Sequence, residues 1–244
     1  MADTQQKPTA TTPPPKQGQR SWIAEFYGSA LGKKYAMAIT GIVLLAYVVV
    51  HMIGNLKLYQ GPEDINAYAE WLRQIAYPAL PEEGGLWIFR VVLGGSVLIH
   101  IHAAFALWLD NRRKRPAKYE KRDYVAVNFA NRTMRWTGII IALFIVFHIA
   151  DLTLGATNPA FDKGDVYSNV VASFSNPLIA GIYIVANLAL GFHIFHGAWS
   201  LFQTMGWNNR RFNHWRRYLA VALAVVVVVG NVSFPLAVLT GVVS

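Results

Sequence analysis

Six of the seven histidines in this chain fall inside long apolar stretches: His51, His100, His102, His148, His193 and His196. Leaving one polar ring unpaired in hydrocarbon costs on the order of 1–3 kcal/mol or more, so six of them demand partners. Two are introduced by a repeated phrase. Met37-Ala-Ile-Thr40-Gly41 is followed after nine residues by His51, and Met134-Arg-Trp-Thr137-Gly138 after nine residues by His148. The same histidine therefore recurs at the same depth of two helices that start from one side, which is how an internal repeat builds a cofactor site.

The elements that must carry these rings are membrane helices. Of 244 residues, 54% are hydrophobic, and the mean hydropathy of +0.31 is high for a soluble domain. Five apolar runs, 35–56, 86–109, 136–156, 177–203 and 217–241, are each near the ~20 residues that cross ~30 Å of hydrocarbon. The expected fold is all-α: an integral membrane bundle of five transmembrane helices with a parallel two-helix internal repeat. Residues 28–244 form that domain, and 1–27, rich in Thr, Pro, Gln and Lys, read as a disordered cytoplasmic tail without a signal-peptide cleavage site.

Charge orients the bundle. Lys7, Lys16, Arg20, Lys33 and Lys34 precede the first span, the run from Arg112 to Arg135 fills the second loop, and Arg210, Arg211, Arg216 and Arg217 lie at the fourth. The alternate loops hold most of the acids, so the positive-inside rule places the N-terminus in the cytoplasm and Ser244 outside. The net charge of +9 is thus a topology signal, and no basic patch interleaved with aromatics points to nucleic acid. The absence of cysteine rules out disulfides, thioether-attached haem and an iron–sulfur cluster held by this chain's own thiolates. In the outer loop, Ile65, Tyr68, Ala69, Leu72, Ile75 and Ala76 have helical spacing and predict an amphipathic cap.

Depth sorts the histidines. His51 and His148 lie roughly 18–22 Å from the inner face, and His100 and His193 within roughly 10 Å of it. Each pair can share one ligand, and two axial imidazoles from facing helices are what a b-type haem needs. His102 and His196 are alternates. The phrases from His100 to Ala104 and from His193 to Gly197 run parallel only if His100 and His193 are chosen. Gly41, Gly94, Gly95, Gly138, Gly191 and Gly197 could admit a flat macrocycle or serve close helix packing. A Rieske-type [2Fe–2S] centre, with two histidines from here and thiolates from a partner, is the chemical alternative to two haems. Trp22, Ser29, Lys33 and Lys34 form a candidate quinone site at the inner end of the first span, with an outer alternative near Glu82.

Longer motifs carry a family resemblance. Gly28-Ser-Ala-Leu-Gly-Lys-Lys-Tyr-Ala-Met-Ala-Ile-Thr-Gly41 with His51-Met-Ile-Gly-Asn55 resembles the opening of the single-chain membrane anchor, or cytochrome b, of bacterial succinate dehydrogenases (respiratory complex II). Asn111-Arg-Arg-Lys-Arg-Pro-Ala-Lys-Tyr119, Arg132-Thr-Met-Arg-Trp-Thr-Gly138 with Phe147-His148, and the stretch from His193 to Gly206 are similar to that family too. The resemblance spans about residues 28–241. It implies a bacterial plasma-membrane subunit that passes electrons from an iron–sulfur subunit, fed by a flavoprotein, to a quinone, expected to be menaquinone. Its di-haem branch implies iron ligation by His51, His100, His148 and His193. Asp151 stands where relatives often have a second histidine, and Gly191 where some carry a carboxylate. A self-contained transmembrane di-haem oxidoreductase and a transporter built from parallel repeats are the competing readings.

Overall fold

The computed structural model of the chain describes residues 21–114, 125–207, 209, 211 and 213–244, without the side chains of 125–132. Among the described residues all regular structure is helical: α1 (Trp22–Gly28), α2 (Ala30–Asn55), α3 (Pro62–Arg73), α4 (Gly84–Arg113), α5 (Val125–Leu152), α6 (Val166–Phe174), α7 (Pro177–Thr204) and α8 (Asn213–Leu239), with a 3-10 turn at Leu56–Gln60. Five of them are long and apolar enough to cross a membrane: α2 with its 3-10 extension, α4, the part Thr133–Leu152 of α5, α7 and α8. The expected five-helix, all-α membrane bundle is the architecture found. The helices overrun the apolar runs at most ends, because helical hydrogen bonding continues into the interfacial residues.

The core is still mostly apolar, but the surface is not that of a water-soluble protein. Large apolar residues such as Val50, Leu98, Val146 and Leu178 face outward, while Thr40, Ser96, Thr137, Asp151 and Asn187 lie inside. That is the distribution expected when the solvent is lipid and polar side chains must find partners within the bundle. α2 packs on α4, α5 on α7, and α7 on α8. Gly191 explains the last of these. A Cβ there would overlap Val228 of α8, so the two backbones approach as closely as they do only because the side chain is absent. The same contact leaves no room at 191 for a carboxylate.

The two ends differ. One is capped by α3 and α6, which pack together: Asn66 donates to Asp165 at 3.0 Å and accepts from the Tyr167 amide at 3.1 Å. Asp165 also caps α6, accepting from the Ser168 amide at 3.0 Å and the Ser168 hydroxyl at 2.6 Å. The Ser168 bonds first, then that from Asn66, hold its carboxyl below the usual carboxylate range. The amphipathic reading of the outer loop is met by α3, whose Ile65 is buried beside Leu58 and Phe174. Ile75 and Ala76 are the exceptions, both lying in the turn beyond the helix. Ala76 is exposed, with a positive φ of 70°. The other end carries α1, which the tail reading of 1–27 did not foresee; residues 1–20 of that tail, and residues 115–124 of the basic loop, lie outside the described residues. Ser29 separates α1 from α2, accepting from the Gly32 amide at 2.9 Å as the α2 N-cap.

Candidate cofactor site

Four histidines meet in two pairs. The rings of His51 on α2 and His148 on α5 have centroids 5.9 Å apart and lie nearly edge-on, at 83°. Those of His100 on α4 and His193 on α7 are 6.3 Å apart at 59°. The backbones of α2 and α5, and of α4 and α7, have no sustained contact among the described residues, so each pair reaches across the space between two packed helix pairs. Thr40, at the level of His100, is eleven residues from His51 on the same helix (51 − 40), which separates the two levels by roughly 16 Å.

Three of the four imidazole Nδ1 atoms are hydrogen-bonded, two of them by the threonine of the repeated phrase. Thr40 donates its hydroxyl proton to the Ala36 carbonyl at 2.7 Å, leaving its oxygen to accept from His100 Nδ1 at 3.1 Å. The Met37 carbonyl accepts from the same atom at 3.1 Å. In the second copy, Thr137 donates to the Thr133 carbonyl at 2.7 Å and accepts from His193 Nδ1 at 3.3 Å. Nearer the cap, His148 Nδ1 lies 3.3 Å from the Tyr183 hydroxyl, which itself donates to Asp151 Oδ2 at 2.7 Å. An acceptor at Nδ1 selects the tautomer with its proton there and leaves the Nε2 lone pair for a metal. His51 stacks on Tyr47, with centroids 5.3 Å apart.

These residues fit axial ligation. Two imidazoles bound end-on to one metal through bonds of about 2 Å would hold their centroids roughly 6 Å apart, the separation of both pairs. Gly41 and Gly138 lie against the paired rings: a Cβ on Gly41 would sit 3.4 Å from His100 Cε1, and one on Gly138 3.7 Å from His193 Cε1. A Cβ on Gly94, Gly95 or Gly197 would enter open space. Among the described residues no three or more histidine and carboxylate side chains converge as a polydentate metal site would require.

The alternates stand apart from the pairs. His102 is exposed on α4 and bonds the Tyr27 hydroxyl at 2.6 Å, tying α1 to the bundle. His196, one turn beyond His193, packs on Phe195. Of the candidate quinone residues at the inner end of α2, Trp22 is exposed, Ser29 caps α2, Lys33 pairs with Asp110 at 2.6 Å, and Lys34 is exposed. Near Glu82 an open cavity of about 250 Å³ is lined by charged groups, among them Glu70, Arg73, Glu83 and Lys163. Burial opposes ionisation of Glu83, but Lys163 and Arg90 outweigh it and hold the carboxyl below its ordinary range.

A larger cavity escaped the sequence reading. About 490 Å³ in volume, it opens between α7 and α8 at the α1 end, lined by Phe202, Trp207, Trp215 and Leu219 together with Arg216 and two asparagines. The buried Arg216 guanidinium lies over Trp199, 5.3 Å from the ring centroid, and its Nε and Nη1 have no hydrogen-bond partner among the described residues. Thr40 and Thr137 were missed as anchors although the sequence held their signal, since both stand at the same place in the repeated phrase.

A multi-pass helical membrane protein with two crossed histidine pairs is the class that this fold and site define. Residues 129–232 match the family of succinate dehydrogenase/fumarate reductase transmembrane subunits. The chain is also similar to the succinate dehydrogenase cytochrome b558 subunit of Bacillus subtilis (strain 168), with 29% identity over 182 residues that cover 75% of this chain and 81% of that protein. The resemblance read from the sequence motifs, to a succinate dehydrogenase membrane anchor of cytochrome b type, is thereby supported from two directions. No solved structure matches the chain.

Proposed function

We propose that this chain is the membrane anchor of a bacterial succinate dehydrogenase, through which electrons pass from an iron–sulfur subunit, itself served by a flavoprotein, to a membrane quinone. The observation that carries the reading is the pair of crossed histidine pairs, each reaching between packed helices, with Nδ1 anchored on three of the four rings. His51 with His148, and His100 with His193, would hold two b-type haems, which supply one-electron redox chemistry. The name of the Bacillus subtilis relative, cytochrome b558, favours haem over the cluster alternative.

The protein's own contribution is positional. Thr40, Thr137 and Tyr183 fix three tautomers and ring orientations, and the outward-facing apolar residues keep the interior dry. The basic α1 end faces the cytoplasm and the partner subunits, with the α3/α6 cap on the outside of the plasma membrane. For the quinone, the cavity between α7 and α8 offers aromatic walls and a guanidinium able to donate to a carbonyl oxygen, which the charged cavity near Glu82 does not. Menaquinone is the proposed acceptor.

Purification of the tagged chain from its native membrane tests the reading. A flavoprotein and an iron–sulfur subunit should accompany it, with quinone reduction dependent on succinate. A haem-containing chain that purifies alone and reduces quinone from another donor would favour the self-contained cytochrome instead.

A further inference from the structure

The two histidine pairs are wired alike in one respect and differently in another. At the α1 end the Nδ1 acceptors of His100 and His193 are neutral, a hydroxyl and a carbonyl on one side and a hydroxyl on the other. At the cap end the line from His148 runs through Tyr183 to a carboxylate. That carboxylate, Asp151, is 1% exposed and has no lysine or arginine paired with it among the described residues. Three hydroxyls converge on it: Thr157 and Ser173 on Oδ1, the latter at 2.6 Å, and Tyr183 on Oδ2 at 2.7 Å.

Chemistry fixes the direction of this line. With Thr157 and Ser173 donating to Oδ1 and Tyr183 to Oδ2, both carboxyl oxygens of Asp151 are acceptors. The Tyr183 oxygen is then left as acceptor, and His148 must present an N–H at Nδ1. A phenol whose proton is drawn toward a carboxyl oxygen is a stronger acceptor than a free one, since hydrogen bonds in a chain polarise one another in a low dielectric. The imidazole whose N–H it accepts becomes a more basic ligand at Nε2. Packing holds the line in place. Tyr183 is 4% exposed and wedged by Phe144 and Phe174, at 5.0 and 4.7 Å between centroids, and the turn after Leu152 folds back so that Thr157 reaches Asp151.

We propose that Asp151, acting through Tyr183, is the positioning residue of the cap-end site: it orients His148 and backs that ligand's Nδ1 with a carboxyl group, which neither ligand at the α1 end has. The inference rests on the haem reading above. A more electron-rich axial ligand favours ferric over ferrous iron, so a haem held by His51 and His148 titrates at a lower potential than it would with a neutral Nδ1 partner.

The test is a redox titration of the reduced-minus-oxidised absorbance of the whole purified complex. The cap-end component is identified as the one lost in His51→Ala. In Asp151→Asn and in Tyr183→Phe that component should move to higher potential while the other stays in place, and Asp151→Glu should return it toward the wild-type position. Tyr183→Phe keeps the packed ring, so it carries the test if Asp151→Asn does not assemble. Haem present in full with neither component moved would overturn the proposal, as would equal movement of both. A complex with no haem component lost in His51→Ala would overturn the haem reading itself, and the proposal with it.

Discussion

The two threonines of the repeated phrase stand in the same place but should not be equally important. Thr137 is the partner of His193 Nδ1 among the described residues, at 3.3 Å, whereas His100 Nδ1 has both Thr40 at 3.1 Å and the Met37 carbonyl at 3.1 Å. Replacing either by valine keeps the side-chain shape and removes the hydroxyl. In Thr137→Val the His193 N–H is left unsatisfied inside the bundle, a loss of about 1–3 kcal/mol, or roughly 5- to 150-fold in retention of the bound group. In Thr40→Val the carbonyl remains, and the loss is that of one shared hydrogen bond, about 0.5 kcal/mol and roughly twofold. The assay is haem occupancy per chain, by pyridine haemochrome, after matched purification and a timed challenge with apomyoglobin as haem acceptor. The expected order is wild type, then Thr40→Val, then Thr137→Val, with the last losing only the component that His193→Ala also removes. Equal retention in the two valine variants, or a greater loss in Thr40→Val, would refute the assignment of Nδ1 partners.

His51→Ala and His193→Ala should each abolish a different spectral component while the helical content by circular dichroism stays within a few per cent, because a single ring on a long helix contributes little to its formation. Gly191→Glu should prevent accumulation of the folded chain, since any Cβ there overlaps Val228, and blue-native electrophoresis of detergent extracts would show the loss. The Asp165 carboxyl is held below the usual range, so its contribution to the α3/α6 cap is fully present above that range and is lost as pH falls through the depressed value. The protection of residues 62–73 and 166–174, taken as observed exchange relative to the intrinsic amide rate at each pH, should therefore fall on acidification, and Asp165→Asn should lack that fall.

Much of this architecture was legible in the chain itself. Apolar runs located the spans because in lipid a helix must satisfy its own backbone, which ties hydropathy to structure directly. The pairing of His51 with His148 followed from the repeat, and that of His100 with His193 from depth, since both are consequences of a fixed rise per residue. What stayed hidden depends on contacts between distant segments. Asp151 stands one helical turn after His148, but Tyr183, which links the two, is 32 positions from Asp151 and nothing local marks it as a partner of His148. The short helix α6 has no long apolar run, and its Asp165 cap becomes informative only once Asn66 of α3 is seen beside it. That Lys33 also pairs with Asp110, and that Ser29 caps α2, are roles visible only once the helices are placed. The α7/α8 cavity is formed by the ends of two helices converging, and Arg216 read as one more basic residue of a cytoplasmic loop.

The most direct measurement is the haem count and the dithionite-reduced minus oxidised visible spectrum of the complex purified with this chain, together with its His51→Ala and His193→Ala variants. Two b haems per chain, one lost in each variant and a different one each time, is the predicted result. A complex that reduces quinone without haem, or one whose haem survives both substitutions, would contradict the account.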